Sequence, residues 1–108
     1  MPMRFSLPLV ASLMVAAPAI AAPPDPAMME LADKSRCFQC HDLTTKISGP
    51  AWIEVAKRYR GRPDMVEPLV KKVKDGGFGA WGTEVMSPNK RVKEDDIRTL
   101  VKWILTLE

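Results

Sequence analysis

Two thiols and an imidazole lie within five consecutive residues, Cys37-Phe38-Gln39-Cys40-His41, and the chain holds no other cysteine or histidine. Cysteines three positions apart can reach the two vinyl groups of one porphyrin and bond to both as thioethers. An imidazole next to the second thiol then falls under the iron and offers it a ring nitrogen. The C-x-x-C-H order is the attachment pattern for c-type haem. Other uses of these residues fit less well. A redox dithiol shares C-x-x-C but sits in a βαβ setting, and no segment here shows strand alternation. A tetrahedral zinc site needs four ligands, so two cysteines and one histidine would have to recruit carboxylates. A local disulfide would leave the adjacent histidine unexplained. The expectation is one covalently attached haem, with its iron, on Cys37 and Cys40.

Iron bound by His41 has a second axial position. With no second histidine, a lysine, a methionine or an open site remain. Met28 and Met29 belong to a helical pattern just before the motif, and Met65 stands at a helix start. Met86 lies in an irregular segment 45 residues after His41, where a side chain can swing to the opposite haem face. His41 and Met86 are therefore the expected metal ligands.

Helices must position these groups. Asp25 can cap a first helix with Pro26 at its first position, where a missing N–H costs nothing; Met28, Leu31 and Ala32 give that helix an apolar side. Trp52, Val55, Ala56 and Tyr59 predict a second helix from near Ala51, stopped by Gly61. Val66, Leu69, Val70 and Val73 predict a third after Asp64, ending at Gly76-Gly77, with Pro68 obstructing its first turn. Residues 78–91 read as a long loop punctuated by Gly79, Gly82, Ser87, Pro88 and Asn89. A last helix opens on Glu94, Asp95 and Asp96, where the helix dipole favours negative charge. It carries the stripe Ile97, Leu100, Val101, Ile104 and Leu105, widened by Trp103 and Leu107. The expected fold class is all-α, about four helices around one haem.

The first residues read as a secretory signal. Arg4 precedes an apolar stretch over residues 5–22, residues 7–17 supply its hydrophobic core, and Ala19-Ile20-Ala21 has the small-x-small form of a cleavage site. Cleavage is expected after Ala21, giving a signal peptide of residues 1–21 and one domain of residues 22–108. An uncleaved anchor is the rival reading, but 18 residues is the floor for a bilayer span, and Pro8 and Pro18 interrupt it. Without Arg4, 15 basic side chains face 13 acidic ones. That balance excludes the clustered basic face of a nucleic-acid binder. No hydrophobic span follows the signal, so no stable membrane insertion is expected after cleavage. A domain this small buries a marginal core and needs a staple that two neighbouring cysteines cannot supply.

These pieces together resemble the short bacterial class I cytochromes c, periplasmic monohaem carriers. The resemblance runs through Cys37 to His41, Gly49-Pro50-Ala51-Trp52, Gly79-Ala80-Trp81-Gly82, Met86-Ser87-Pro88-Asn89 and Lys102-Trp103-Ile104-Leu105, in the family's order. It implies that the Pro50 carbonyl fixes the His41 ring, as groups behind a metal ligand do. It implies that Trp81 points its indole N–H at a haem propionate, that Asn89 lies near the Met86 sulfur, and that Leu31 packs on the last helix near Leu100 and Ile104. Glu84-Val85 stand where the family often has Ile-Pro, Ser87-Pro88 where it has two prolines, and Lys93 where it has a serine cap. The bland readings hold for the rest: Trp52, Tyr59 and Trp103 as pocket or core, Lys57-Arg58 and Lys71-Lys72 as solvated helix faces.

Two filled axial positions leave no site for a substrate, and methionine opposite histidine raises the potential. The expected function is single-electron transfer in the periplasm between redox protein partners, by a monomer or a subunit of a complex, and not catalysis. The alternatives are a dedicated cytochrome subunit of a periplasmic oxidoreductase, or a haem enzyme or gas sensor should the sixth ligand be weak. The mature protein should weigh one haem more than residues 22–108, and that haem should survive acid-acetone extraction. Extractable haem, or alkylation of both cysteines in the native protein, would refute the attachment.

Overall fold

The computed structural model describes residues 1–17 and 24–108. The expected cleavage point after Ala21 lies outside the described residues. Residues 1–17 are exposed and form neither helix nor strand. No helix among the described residues is long and apolar enough to cross a membrane.

Helix α1 (Pro26–Lys34) begins as its sequence dictates. The Asp25 carboxylate accepts from the amides of Ala27 at 2.9 Å and Met28 at 3.3 Å, while Pro26 takes the first position. Ala32 is its buried contact. After Ser35 the chain turns through Arg36, whose φ of 61° is the one left-handed value at a non-glycine residue among the described residues. The 3-10 turn Cys37–Gln39 follows directly from it.

Helix α2 (Trp52–Tyr59) has no side-chain cap. Its first amides are satisfied by the preceding loop, Trp52 N–H on the Asp42 carbonyl at 2.9 Å and Ile53 N–H on that of Leu43 at 3.0 Å. The residues straight after His41 are thereby docked onto the start of α2.

Helix α3 (Val66–Asp75) is preceded by a 3-10 turn, Pro63–Met65. Pro68 falls third in the helix, where an N–H would have no intrahelical partner, so the proline is accommodated and its obstruction is resolved. The segment read as one long loop is partly a hairpin. Strand β1 (Gly77–Gly79) pairs antiparallel with β2 (Gly82–Met86), Gly77 opposite Met86 and Gly79 opposite Gly82. Both strands are almost wholly solvent-facing, so neither carries the apolar alternation that marks a half-buried strand.

Helix α4 (Glu94–Ile104) carries the expected acidic first turn, and Lys93 precedes it in extended conformation without a side-chain cap. It serves both halves of the core. On one side Leu100 packs with Ala32 and Trp52, joined by Leu31, Phe38, Trp103 and Ile104. On the other, Ile97 and Val101 pack with Val70. The core is thin: eight apolar residues are buried among those described, three of them alanines.

Across the α3–α4 seam, Arg98 grips Glu67 with two bonds of 2.6 and 2.9 Å and also reaches Glu94 and Asp95, while Lys74 bonds Glu94 at 3.0 Å. Arg98 holds the Glu67 carboxyl below the usual carboxylate range, and Lys74, with help from Arg98, does the same to Glu94. A lowered folded-state pKa adds stability above the unfolded pKa, and that stability is lost as pH falls through the folded value. The carboxylates are solvent-exposed and Arg98 is half-buried, so the effect is modest. Arg98→Met should lower the urea midpoint at pH 7, with the gap to the parent closing below about pH 4, near the ordinary carboxylate range. An unchanged gap down to pH 3 would show that packing of the Arg98 stem, not its charge, stabilises the seam.

Candidate functional site

The three motif residues sit on one turn. His41 N–H and Cys40 N–H both bond the Cys37 carbonyl, at 2.9 and 3.2 Å, so the imidazole and both thiols spring from a single closed loop. Cys37 is half-buried and Cys40 exposed, and neither is in a disulfide. Burial pushes the Cys37 thiol up to about 11.

The His41 ring is held from several directions. Its Nδ1 lies 2.8 Å from the Pro50 carbonyl oxygen, which can only accept, so in the neutral ring Nδ1 carries the proton and Nε2 the lone pair. The ring stacks on Trp52 with centroids 5.7 Å apart and 29° between planes. Trp52 itself is braced by Phe38 at 5.3 Å and, edge-on, by Trp103 at 5.8 Å. Gly49 closes the remaining side: a Cβ there would lie 2.5 Å from Cε1 and 2.8 Å from Nδ1. Its N–H bonds the Cys40 carbonyl at 2.7 Å, drawing the loop of residues 42–50 back over the motif. The implied role of Pro50 has its geometric counterpart in this bond.

Met86 is half-buried at the end of β2. The segment that follows is tied to two other elements through Asn89. Its N–H bonds the Val73 carbonyl on α3 at 2.9 Å, and its Nδ2 donates to the Ser35 carbonyl at 3.1 Å. Ser35, buried at the end of α1, lies two residues before Cys37. The loop bearing Met86 is thus stapled to the approach of the C-x-x-C-H turn. The Asn89 amide spends one donor on this staple, and its second hydrogen is the one left for the implied contact with the Met86 sulfur.

Trp81 is half-buried at the hairpin turn, and its ring is covered by the Arg58 guanidinium, 3.6 Å from the centroid. Arg58 Nη1 also donates to the Ala80 carbonyl at 2.6 Å. Arg58 is therefore no freely solvated charge; it binds α2 to the hairpin. The indole N–H of Trp81 bonds no protein group among the described residues. Sequence reading missed Arg58, along with Ser35, Arg36 and the packing at Gly49. Only Gly49, beside Pro50 in a motif already singled out, carried a signal that might have been followed.

The donor set fits a covalently held porphyrin: two uncrosslinked thiols, an adjacent imidazole with a fixed tautomer, and no group of three or more carboxylate, thiol or imidazole side chains placed to hold a bare metal ion among the described residues. Comparison with known proteins agrees. The family model for cytochrome c matches residues 29–108. The chain is 46% identical over 86 residues to cytochrome c-551 of Allochromatium vinosum, covering 80% of this chain and 92% of that one. Its fold superposes on the crystal structure of Nitrosomonas europaea cytochrome c552 with a TM-score of 0.71, at 40% identity, over 74% of this chain and 99% of that one. The class 1 cytochrome MtoD of Sideroxydans lithotrophicus gives a TM-score of 0.64 at 32% identity, over 75% of this chain and 92% of the other. The match spans the folded unit from α1 to α4 and not the motif alone; the chain belongs to the cytochrome c family, and is an electron-transfer protein of class I fold that binds haem c covalently through Cys37 and Cys40.

Proposed function

We propose that this cytochrome is a periplasmic monohaem electron carrier, with His41 and Met86 as axial ligands, released from a signal peptide of residues 1–21. The observation that carries the reading is the 2.8 Å bond between His41 Nδ1 and the Pro50 carbonyl. It commits one ring nitrogen to the protein and leaves the other basic and oriented, the arrangement a metal-ligating histidine needs. The Asn89 staple to Ser35 supports the second half, since it ties the Met86 loop to the motif's own corner. Thioether sulfur is soft and favours ferrous over ferric iron, which suits an acceptor of electrons from donors of modest potential. With both axial positions occupied by side chains, no site is left for a substrate, and the protein passes electrons between redox partners without catalysing a reaction of its own. Trp81, with Arg58 on its face, is assigned to a haem propionate, and Pro50 and Asn89 to orienting the two ligands.

Met86→Ala tests the assignment. The variant should lose the weak near-infrared sulfur-to-iron band of the ferric protein, drop in potential and bind carbon monoxide when reduced. It should also lose stability. Ligation of His41 and Met86 closes a loop of 45 residues, worth at most roughly 4 kcal/mol on the chain-entropy model. The same substitution at Met28, Met29 or Met65 should leave all of these properties near the parent's. A Met86→Ala protein that keeps the band and the potential has another sixth ligand.

The thin core makes a second demand. A domain with few large buried side chains has a stability margin comparable to that loop-closure figure. The Cys37→Ala, Cys40→Ala double variant, made without haem, should be largely unfolded by far-ultraviolet circular dichroism. A cooperative thermal transition in that protein would show that the helices stand without the group they surround.

A further inference from the structure

We propose that Gly76 is a positioning residue for Met86: its lack of a side chain lets the end of α3 close directly on the backbone of the ligand loop. Met86 comes from the far strand of the hairpin, and Gly76 is the turn by which α3 enters that hairpin. Gly76 N–H still bonds the Lys72 carbonyl at 2.8 Å, so the helix is intact up to this residue. There φ becomes 72° and ψ −167°, a region open in practice only to glycine. A Cβ built on Gly76 would collide with the Met86 carbonyl oxygen and stand 2.8 Å from Pro88 N and 3.0 Å from Pro88 Cδ. Non-bonded carbon contacts settle near 3.5–4.0 Å, so the two segments are closer than any side chain permits. The atoms that would be struck are backbone or proline ring, and no side-chain rotation can relieve them. One residue beyond Pro88, the Asn89 N–H reaches the Val73 carbonyl at 2.9 Å on the same end of α3. The loop is thus clamped to α3 at Gly76 and again at Val73, with Met86 at one edge of the clamp. A side chain at Gly76 would push the Met86 backbone outward and take its sulfur away from the iron.

Another glycine separates this contact from backbone strain. Gly61 has nearly the same φ, 73°, lies outside the hairpin, and has nothing within 4 Å of an added Cβ. Alanine at Gly61 brings strain without blocking the loop. Alanine at Gly76 brings strain and blocks it.

The inference rests on Met86 as the axial ligand, and the experiment keeps the two apart. Gly61→Ala and Gly76→Ala are made in the haem-loaded protein. Thermal midpoint, helicity, near-infrared band, reduction potential and ferric affinity for added imidazole are recorded for each. An external ligand competes for the iron in proportion to the fraction of molecules with the loop displaced, so a tenfold rise in that fraction raises apparent affinity about tenfold. Both variants should melt lower than the parent. Only Gly76→Ala should also lose the band, fall in potential and gain at least about tenfold in imidazole affinity. Retention of the parent's band and imidazole affinity in Gly76→Ala overturns the proposal, as does equal loss in Gly61→Ala. A parent without the band fails the ligand assignment itself, before any glycine is changed. Should Gly76→Ala yield no holoprotein, Pro88→Gly removes the ring facing Gly76 without adding an atom. Its imidazole affinity should rise, and a parent-like value would overturn the proposal equally.

Discussion

The hydrogen bond between His41 Nδ1 and the Pro50 carbonyl is the constraint around which the first half of the domain is arranged. To deliver that carbonyl, residues 42–50 must fold back over the motif, and the Gly49 and Cys40 backbones bond each other to make them do so. Gly49 must be bare, because the ring it faces lies within 3 Å of where a Cβ would stand. Trp52 must follow closely so that its indole meets the ring's face, and the carbonyls of Asp42 and Leu43 accept from the first amides of α2 to place it there. One oriented imidazole thus accounts for the loop, the glycine and the start of a helix.

The same economy explains the core. Helix α4 lends Leu100 to Trp52 and Ala32, and Ile97 and Val101 to Val70, so one amphipathic helix holds both halves of a domain with little apolar volume of its own. Many other apolar side chains, including Cys37, Phe38, Leu69 and Val73, are only partly covered by protein. A core this thin is marginal for a small domain, and a large flat apolar group attached through two cysteines adds the apolar surface it lacks. Ion pairs on the α3–α4 seam add alignment more than energy, because their carboxylates stay exposed to solvent.

What could be read from sequence was whatever depends on short spacing. The C-x-x-C-H turn, the Asp25-Pro26 start of α1, the stop at Gly61 and the stripe of α4 are all set by residues a few positions apart. What could not be read depends on contacts between distant segments. Arg58 looks like an ordinary helix-face charge until Ala80 and Trp81 arrive beside it from another element. The hairpin carries no alternation because neither of its faces is buried, so its glycines read only as loop. Arg36 takes a left-handed turn that its residue type does not advertise. Pro68 sits third in α3, where a proline displaces no intrahelical hydrogen bond.

The two sides of the site are built to different standards. On the His41 side, the Pro50 carbonyl, the Trp52 ring, Gly49 and two amides on the Cys37 carbonyl all specify one geometry. On the Met86 side, the loop is held by a short exposed hairpin, the Asn89 bonds to Val73 and Ser35, and close backbone approach at Gly76. Segments with few buried contacts and solvent-exposed hydrogen bonds open at lower free energy than the core around them. Opening of this domain should therefore begin at the hairpin, carrying Met86 away before His41 is disturbed. With the proposed ligation, that order would leave the haem held through its cysteines and His41 while the Met86 side admits small ligands. Met86 is preceded by Glu84-Val85 and followed by Ser87, none of which restricts the unfolded backbone as a proline would, so the contacts at Gly76 and Asn89 carry the closure of this loop.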